Sequence, residues 1–448
     1  MDVLSDLQQR GFIEDQTHTK LLVEYLTNNK ATCYIGFDPT ADSLHVGNLV
    51  CIMALAHMQR HGHRPIALVG GGTGLIGDPS GKAELREILN KEKINENKKA
   101  LKTQLANFID FKEDKALLLD NAKWLTKLEY IPFLRDIGKY FTINKMIKAE
   151  AYKARMESNE GLTFIEFNYM LLQAYDFMIL AKEHDCMLQM GGSDQWGNIV
   201  AGVSLVHKTL KKQAFGITFP LIVTSAGIKM GKTHKGAVWL DPQRVSPYEY
   251  YQFWVNTSDA DLVRFLLLFT FLPIDEIKAV KELPSEKLNS VKAVLGYETV
   301  KICHGEEQAL KALKASEVMF GHIKVDNNIL PSSSLHKNIQ KAGSIELDGT
   351  LRLGMRLEGV FQIEDSIPSS SCSKKNILNQ CLIIDLFVDS GLCSSKSEAR
   401  RLIEQGGAYV NGVSTKSLKQ TIKENDIKEG YLLLRAGKKK YHKIIVTK

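Results

Sequence analysis

In the first half of the chain, short apolar runs at residues 32–37, 66–70, 186–191 and 217–224 are bounded by Gly, Pro or Asp, and stretches of helical period such as 46–61 and 165–182 lie between them. No other feature constrains the fold as tightly. Strand, helix, strand, repeated in this order, closes as a parallel sheet with helices packed on both faces. In open sheets of this kind a ligand lies beyond the carboxyl ends of the strands, where the strand order reverses. The segments that follow these strands are therefore where functional residues are to be sought.

The alternation stops near residue 245. From there to about 320 the strand signals fade and helical periodicity dominates. Residues 321–375 are weakly patterned, with Pro331-Ser-Ser-Ser334 and Pro368-Ser-Ser-Ser-Cys-Ser373 reading as flexible joints. A helix is then expected over 377–406 and short strands over 408–412 and 430–435. A chain of 448 residues exceeds one ordinary domain. The expected division is an α/β unit over 1–245, a helical unit over 246–325, a linker or elaboration over 326–375 and a small α+β module over 376–448.

Composition excludes several classes. Hydrophobic residues at 44% and charged residues at 24% are the balance of a soluble globular chain. The start, Met1-Asp2-Val3-Leu4, lacks the basic-then-apolar order of a secretion signal, and the longest apolar stretch, 265–272, is too short to cross a bilayer. A cytoplasmic protein without a membrane partner is the expectation. The seven cysteines are scattered with no C-x-x-C pair, which speaks against a disulfide framework, a zinc ribbon or any dedicated metal site. His61 and His63 have no cluster of partners nearby and read as solvated or capping side chains.

The net charge of +7 is unevenly placed. Residues 376–448 hold 13 Lys and Arg against 7 Asp and Glu, a net of +6. A compact basic module suits a polyanion ligand, although a solvated basic tail gives the same count.

One motif misleads. Gly72-Thr-Gly74-Leu-Ile-Gly77 matches the G-x-G-x-x-G of dinucleotide-binding folds. That motif opens a helix directly, whereas Asp78-Pro79 interrupts here and a polar helical stretch, 83–105, follows. Gly81-Lys82 is no phosphate loop either, because Ile76 and Ala83 stand where Gly and Ser or Thr belong. The glycines are read as allowing close backbone approach to a ligand.

Two other segments carry chemistry. Asp38-Pro-Thr40-Ala-Asp-Ser-Leu-His45-Val-Gly47-Asn48 follows a strand and opens a helix, so its backbone N–H groups favour an anion and Thr40 and His45 add donors. Gly47 leaves room for a flat base on the backbone. Lys229-Met-Gly231-Lys232-Thr233 lies in a polar loop after the run at 217–224 and offers two cations to phosphate. Each alone has a plain alternative, a helix residue or a solvated loop. A third pattern is a polar stripe: Tyr169, Gln173 and Asp176 share one face of an otherwise apolar helix. Such a stripe either meets polar partners in the core or lines a polar pocket.

Together the two segments resemble the H-I-G-H and K-M-S-K-S signatures of class I aminoacyl-tRNA synthetases, in the right order and each after a strand. Gly36-Phe-Asp38-Pro-Thr, Leu75-Ile-Gly-Asp78-Pro-Ser, Phe133-Leu-Arg-Asp-Ile-Gly-Lys139 and Gly191-Gly-Ser-Asp194-Gln195-Trp196-Gly-Asn198 are similar to the bacterial type of tyrosyl enzyme. Asn48 replaces the second His, and Gly231 and Thr233 replace the serines. The resemblance implies a Rossmann-like parallel-sheet catalytic unit, followed by a helical unit near the anticodon and an S4-like RNA-binding module.

It also implies roles. Asp78, Tyr169 and Gln173 hold the α-ammonium of L-tyrosine, and Tyr34 and Asp176 bond its phenol. Gln195 belongs to the tyrosine site as well. Gly36, Asp38, His45, Gly47, Asn48, Gly192, Asp194 and Lys232 bind ATP, which brings Mg2+ with it. Thr40, His45, Lys229 and Lys232 carry the charge of the departing pyrophosphate. Lys396, Arg400, Arg401, Lys438, Lys439 and Lys440 face tRNA(Tyr), and the family implies a homodimer. A site built to bond a hydroxyl rejects the analogue that lacks it; tyrosyl enzymes are themselves the worked example of this rule, at roughly five orders of magnitude against phenylalanine. The tryptophanyl relatives fit less well, since Tyr34 and Asp176 suit a phenol. Two rivals stand beside this reading: an RNA-binding protein that kept the scaffold without activity, and another nucleotidyltransferase sharing the His-x-Gly motif.

Overall fold

Six short strands, β1 (Asp15–Gln16), β2 (Thr32–Phe37), β3 (Arg64–Val69), β4 (Leu117–Asp120), β5 (Cys186–Gly192) and β6 (Phe215–Phe219), form one sheet in the order β1-β6-β5-β2-β3-β4 in the computed structural model. β2 to β6 run parallel and β1 adds antiparallel at the β6 edge. β3 and β6 are buried along nearly their whole length, which is why they read as apolar runs and not as alternations. The chain steps outward from β2 through β3 and β4, then returns to the far side of β2 for β5 and β6. Strand order therefore reverses between β2 and β5. The structure describes residues 2–80, 91–158, 161–227, 229–233, 236–320, 325–341, 345–347, 350–352, 368–379, 381–415, 417–418, 420–427, 430–437 and 440–447.

The run expected at 217–224 ends as a strand at Phe219, because Pro220 has no N–H to give the sheet. Beyond it a two-residue hairpin, β7 (Lys232–Thr233) with β8 (Gly236–Ala237), closes the lysine segment. On the helical side, Phe164–Glu183 starts at a capping box: Thr163 Oγ1 accepts from Glu166 N at 3.3 Å, and Glu166 accepts from Thr163 N at 3.0 Å. The helix Trp196–Leu210 packs on it at Gly202, where a Cβ would stand 2.9 Å from the Phe177 ring.

Helices Pro247–Val255, Asp259–Phe269, Leu288–His304 and Glu306–Phe320 form the next unit. Their buried side chains, Tyr251, Trp254, Phe265 and Tyr297 among them, join the same core as the sheet. The change at residue 245 is thus one of element type within continuous packing. Arg10, fixed by Asp6 at 2.9 Å, donates to the carbonyls of Leu267, Thr270 and Leu272 at 3.0–3.3 Å and clasps the amino terminus to this unit. His61, expected to be solvated or a cap, turns to Asp6 at 3.1 Å and belongs to the clasp.

The serine-rich stretches are more ordered than their composition suggests. At Pro331–Ser334, Ser332 N donates to Glu276 at 3.1 Å and Ser333 Oγ to the buried Glu298 at 2.5 Å. The following helix Ser334–Lys341 lies beside a small antiparallel sheet of β9 (Val325–Asp326), β10 (Ile345–Leu347) and β11 (Thr350–Arg352). In the last module β12 (Ser369–Ser373), β13 (Ala408–Val410), β14 (Val413–Ser414), β15 (Tyr431–Ala436) and β16 (Lys440–Thr447) pair in the order β12-β16-β15-β13-β14. The expected joint at 369–373 is β12, held in parallel register by β16. The single helix expected over 377–406 is three, Lys374–Leu378, Ile383–Asp389 and Lys396–Glu404. A core of its own, including Phe387, Ile403, Leu432 and Ile444, supports the module. Among the described residues no helix is long and apolar enough to cross a membrane.

Candidate active site

A cavity of about 360 Å3 opens beyond the carboxyl ends of the strands, at the reversal between β2 and β5. Tyr34, Gly36 and Asp38 enter it from β2 and its end, and Thr40, His45, Gly47 and Asn48 from the loop beyond. Asp78, Tyr169, Gln173 and Asp176 form another part of the wall, and Gly192, Asp194 and Gln195 close it after β5. These side chains, far apart in sequence, share one space. Lys229 is exposed and outside this lining, and the Lys232 side chain, like residues 81–90, lies outside the described residues.

At the floor sits Asp176, buried with its two oxygens accepting from Asn121 Nδ2 at 2.9 Å and Trp124 Nε1 at 2.6 Å. Burial pushes its carboxyl up to about 7, against the pull of those two donors, and the negative charge of Asp38 and Asp120 adds to the rise. Tyr34 stands beside it at 1% exposure, its hydroxyl without a partner among the described residues. A buried hydroxyl left so costs on the order of 1–3 kcal/mol, which marks it as a group built to meet something in the cavity. Asn121, Trp124 and Thr73 escaped the sequence reading. The three leucines of β4, which ends one residue before Asn121, signalled a strand end there but no side chain.

The polar stripe satisfies both of its alternatives at once. Tyr169 Oη donates to Asp38 Oδ2 at 3.0 Å, Thr73 Oγ1 donates to Asp38 Oδ1 at 2.8 Å, and Asn121 donates onward to Thr73 at 3.0 Å. Gln173 Nε2 donates to Gln195 Oε1 at 3.1 Å, and Gln195 Nε2 to Asp78 Oδ2 at 2.8 Å. Asn198 braces Gln173 and Gln195 at 3.2 and 3.1 Å. Line and partner coincide.

The other end is built from loop backbone. His45 caps the turn Val46–Asn48: its Nδ1 accepts from Gly47 N at 3.0 Å, which places the ring proton on Nε2, while Asn48 Oδ1 accepts from His45 N at 3.0 Å. Gly47, expected to make room for a base, has a nearer reason: a Cβ there would stand 2.8 Å from the His45 ring. Glycines 72 and 74, read as room for a ligand, instead admit Leu125 and Pro39 of the chain itself.

The lysine segment is stitched to this loop. Val46 N donates to Val238 O at 2.9 Å, Val238 N to Gly231 O at 2.8 Å, and Leu240 N to Leu44 O at 2.8 Å. Gly231, at φ +81°, comes so close that a Cβ would lie 3.1 Å from Gly47 N. On its other flank Val223 bridges Lys229, and the turn between them is gripped by the buried Asp261, which accepts from Ser225 N at 2.8 Å and Ser225 Oγ at 2.9 Å.

Comparison with known proteins decides the family. The model for "tRNA synthetases class I (W and Y)" matches residues 26–321, and that for "Tyrosine--tRNA ligase SYY-like C-terminal domain" matches 360–444. The tyrosine–tRNA ligase of Desulfatibacillum aliphaticivorans is 53% identical over 447 residues, covering 100% of this chain and 99% of its own. The chain belongs to the class I tyrosine–tRNA ligases. Among solved structures, a C-terminally truncated mitochondrial tyrosyl-tRNA synthetase of Aspergillus nidulans aligns at TM-score 0.65 and 32% identity, over 71% of this chain and 94% of that one. A tyrosyl-tRNA synthetase of Archaeoglobus fulgidus, complexed with L-tyrosine, shares the fold at TM-score 0.52 and 16% identity, over 70% of this chain and 100% of that one. A tyrosine–tRNA ligase is an enzyme, and the parallel sheet, helical unit and separate C-terminal module follow the class I plan.

In the C-terminal module, Lys396, Arg400, Arg401 and Lys440 are exposed. The first three sit on the helix Lys396–Glu404, which Ser395 caps by accepting from Glu398 N at 3.2 Å. Lys396 reaches Asp385 at 2.7 Å. Lys438 and Lys439 lie outside the described residues.

Proposed function

We propose that the cavity joins L-tyrosine to ATP as tyrosyl-adenylate with release of pyrophosphate, and that the tyrosine then passes to the 3′-terminal adenosine of tRNA(Tyr). The observation that carries this reading is that the unpartnered Tyr34 hydroxyl and Asp176 line one cavity together with the His45 turn. The phenol meets Tyr34 and Asp176. Asp78, Tyr169 and Gln173 take the α-ammonium, and Gln195 the carboxylate side. Gly36, Asp38, Gly47, Asn48, Gly192 and Asp194 receive the adenosine.

The substrate carboxylate is already a nucleophile, so the step needs no general base. One carboxylate oxygen bonds to the α-phosphorus in line, and the bond from that phosphorus to the bridging oxygen breaks. Charge gathers on the leaving pyrophosphate, where Thr40, His45, Lys229 and Lys232 meet it. Magnesium travels with the nucleotide, since this cation is commonly carried by substrate phosphates.

In the same reading residues 1–245 form the catalytic unit, 246–325 the helical unit on the anticodon side, and 376–448 the RNA-binding module, with Lys396, Arg400, Arg401, Lys438, Lys439 and Lys440 toward the tRNA. A homodimer is supported by exposed apolar side chains, Tyr130, Ile131, Ile143, Phe164 and Val200, on the segments that build the small core of Met146, Tyr152 and Met170. The place of work is cytoplasmic translation.

The test is amino-acid-dependent ATP–pyrophosphate exchange with all twenty amino acids. Exchange with tyrosine alone is expected, and no exchange with any of them, from folded protein, favours the RNA-binding rival. Removing residues 376–448 should leave exchange in place and abolish tRNA charging.

A further inference from the structure

We propose that Asn97 and Gln104 are positioning residues for the adenylation step, fixing through their side-chain amides the loop that carries Thr40 and His45; this rests on the roles given above to those two residues. The helix Lys91–Leu105 is polar over most of its surface. Its buried positions Ile94, Asn97, Leu101, Gln104 and Leu105 fall at helical spacing, so they share the face turned to the protein body. Two of the five are amides, at 1% and 7% exposure.

Both amides are spent on loop backbone. Asn97 Nδ2 donates to Pro39 O at 2.8 Å. Gln104 Oε1 accepts from Leu44 N at 2.8 Å, with the Ser43 hydroxyl at 3.3 Å. Pro39 immediately precedes Thr40, and Leu44 immediately precedes His45, so each bond holds the peptide next to one phosphate-side residue. The partners also decide the orientation of each amide: a carbonyl can only accept and an N–H only donate. Asn97 pays for its post, because its own carbonyl oxygen is buried with no partner among the described residues. An apolar side chain of similar size would remove that stranded oxygen but leave Pro39 O without this donor, so the two costs offset and stability is a poor reason for an amide here. Placement of the loop is the better one, since a shift of about 1 Å in a reacting group can cost about 100-fold in rate.

The experiment measures adenylate formation in single turnover, per active site titrated by the tyrosine burst, with tyrosine Kd measured separately. Asn97→Leu and Gln104→Leu are expected to slow the step by about 10- to 100-fold while tyrosine Kd stays within about twofold. Gln104→Glu keeps an acceptor for Leu44 N and should recover most of the loss. Asn97→Asp sets oxygen against oxygen at Pro39 and should be as slow as Asn97→Leu. Combined with His45→Ala, Gln104→Leu should add little, because the residue it places is gone. The inference is overturned if the leucine variants only lower Tm or the active fraction at unchanged rate per site. It is overturned equally if Gln104→Leu costs as much with His45→Ala as without it. Loss in His45→Ala with none in either leucine variant removes the positioning role alone; no loss in any of the three removes the role of His45 as well.

Discussion

At the end of the cavity proposed to receive tyrosine, most polar groups are bonded to one another, with the Tyr34 hydroxyl left without a partner among the described residues: Trp124 and Asn121 hold Asp176, and Asp38, placed with the adenosine, joins Tyr169 to Thr73. At the end proposed to meet the phosphates the loops are held at their bases by backbone bonds and by the side chains of Asn97, Gln104 and Asp261, and Lys229, whose side chain is described where that of Lys232 is not, is exposed. The difference fits two tasks. Recognising a phenol requires fixed partners that would be stranded by the wrong side chain. Stabilising a leaving pyrophosphate rewards contacts that are stronger in the transition state than with the bound substrate.

The largest effect should come from breaking the fixed end. Asp176→Ala is expected to erode the preference for tyrosine over phenylalanine by several orders of magnitude; the standing figure of about 10^5 belongs to tyrosyl enzymes as a group. Comparing kcat/KM for the two amino acids in exchange reads it, and an undiminished preference would move the phenol contact elsewhere. Next come the lysines. Lys232→Ala and Lys229→Ala should each slow single-turnover adenylate formation by about 100- to 1000-fold with tyrosine Kd within about twofold. A rise in tyrosine Kd that matches the loss in rate would erase the distinction between the two ends.

A pH measurement sharpens the contrast without touching the reaction. The Asp176 carboxyl keeps its proton up to about 7 in the folded chain, whereas the unfolded chain gives it up near its ordinary value of about 4. The stability this proton provides is complete below about pH 4 and is lost as pH climbs through about 7. Asp176→Asn, which has no proton to lose, should therefore gain stability relative to the parent across that window, by up to about 4 kcal/mol. Parallel denaturation curves from pH 4 to 8 would contradict the raised value. The smallest effect is expected at the loop stem. Asp261→Ala frees the Ser225 turn and should slow adenylate formation by about tenfold, less than loss of either lysine. A loss equal to that of Lys229→Ala would mean that the stem, and not the cation, sets the rate.

Legibility in the sequence followed how local the physics was. β2 matches the run at 32–37 residue for residue, and the helix Phe164–Glu183 begins within a residue of its periodic pattern, because alternation of elements, an N-cap and an apolar run are local properties. Tyr169, Gln173 and Asp176 were visible as a stripe for the same reason. Asn121 and Trp124 were not, since neither stands in a pattern; they matter only because β4 pairs with β3 and delivers them above Asp176. The serines of β12 carry no strand preference, and only the edge of β16 makes them a strand.

The sequence by itself determined the alternation of strands and helices in the first half, the helical character of the unit after residue 245 and the basic bias of the last module, all of which follow from residues near one another in the chain. Only the tertiary structure decided which side chains share the cavity, how deeply Asp176 is buried, and that the amides of a polar helix hold the loop that carries Thr40 and His45. Those outcomes depend on burial and on contacts between segments 58 to 131 residues apart, and no local pattern encodes them.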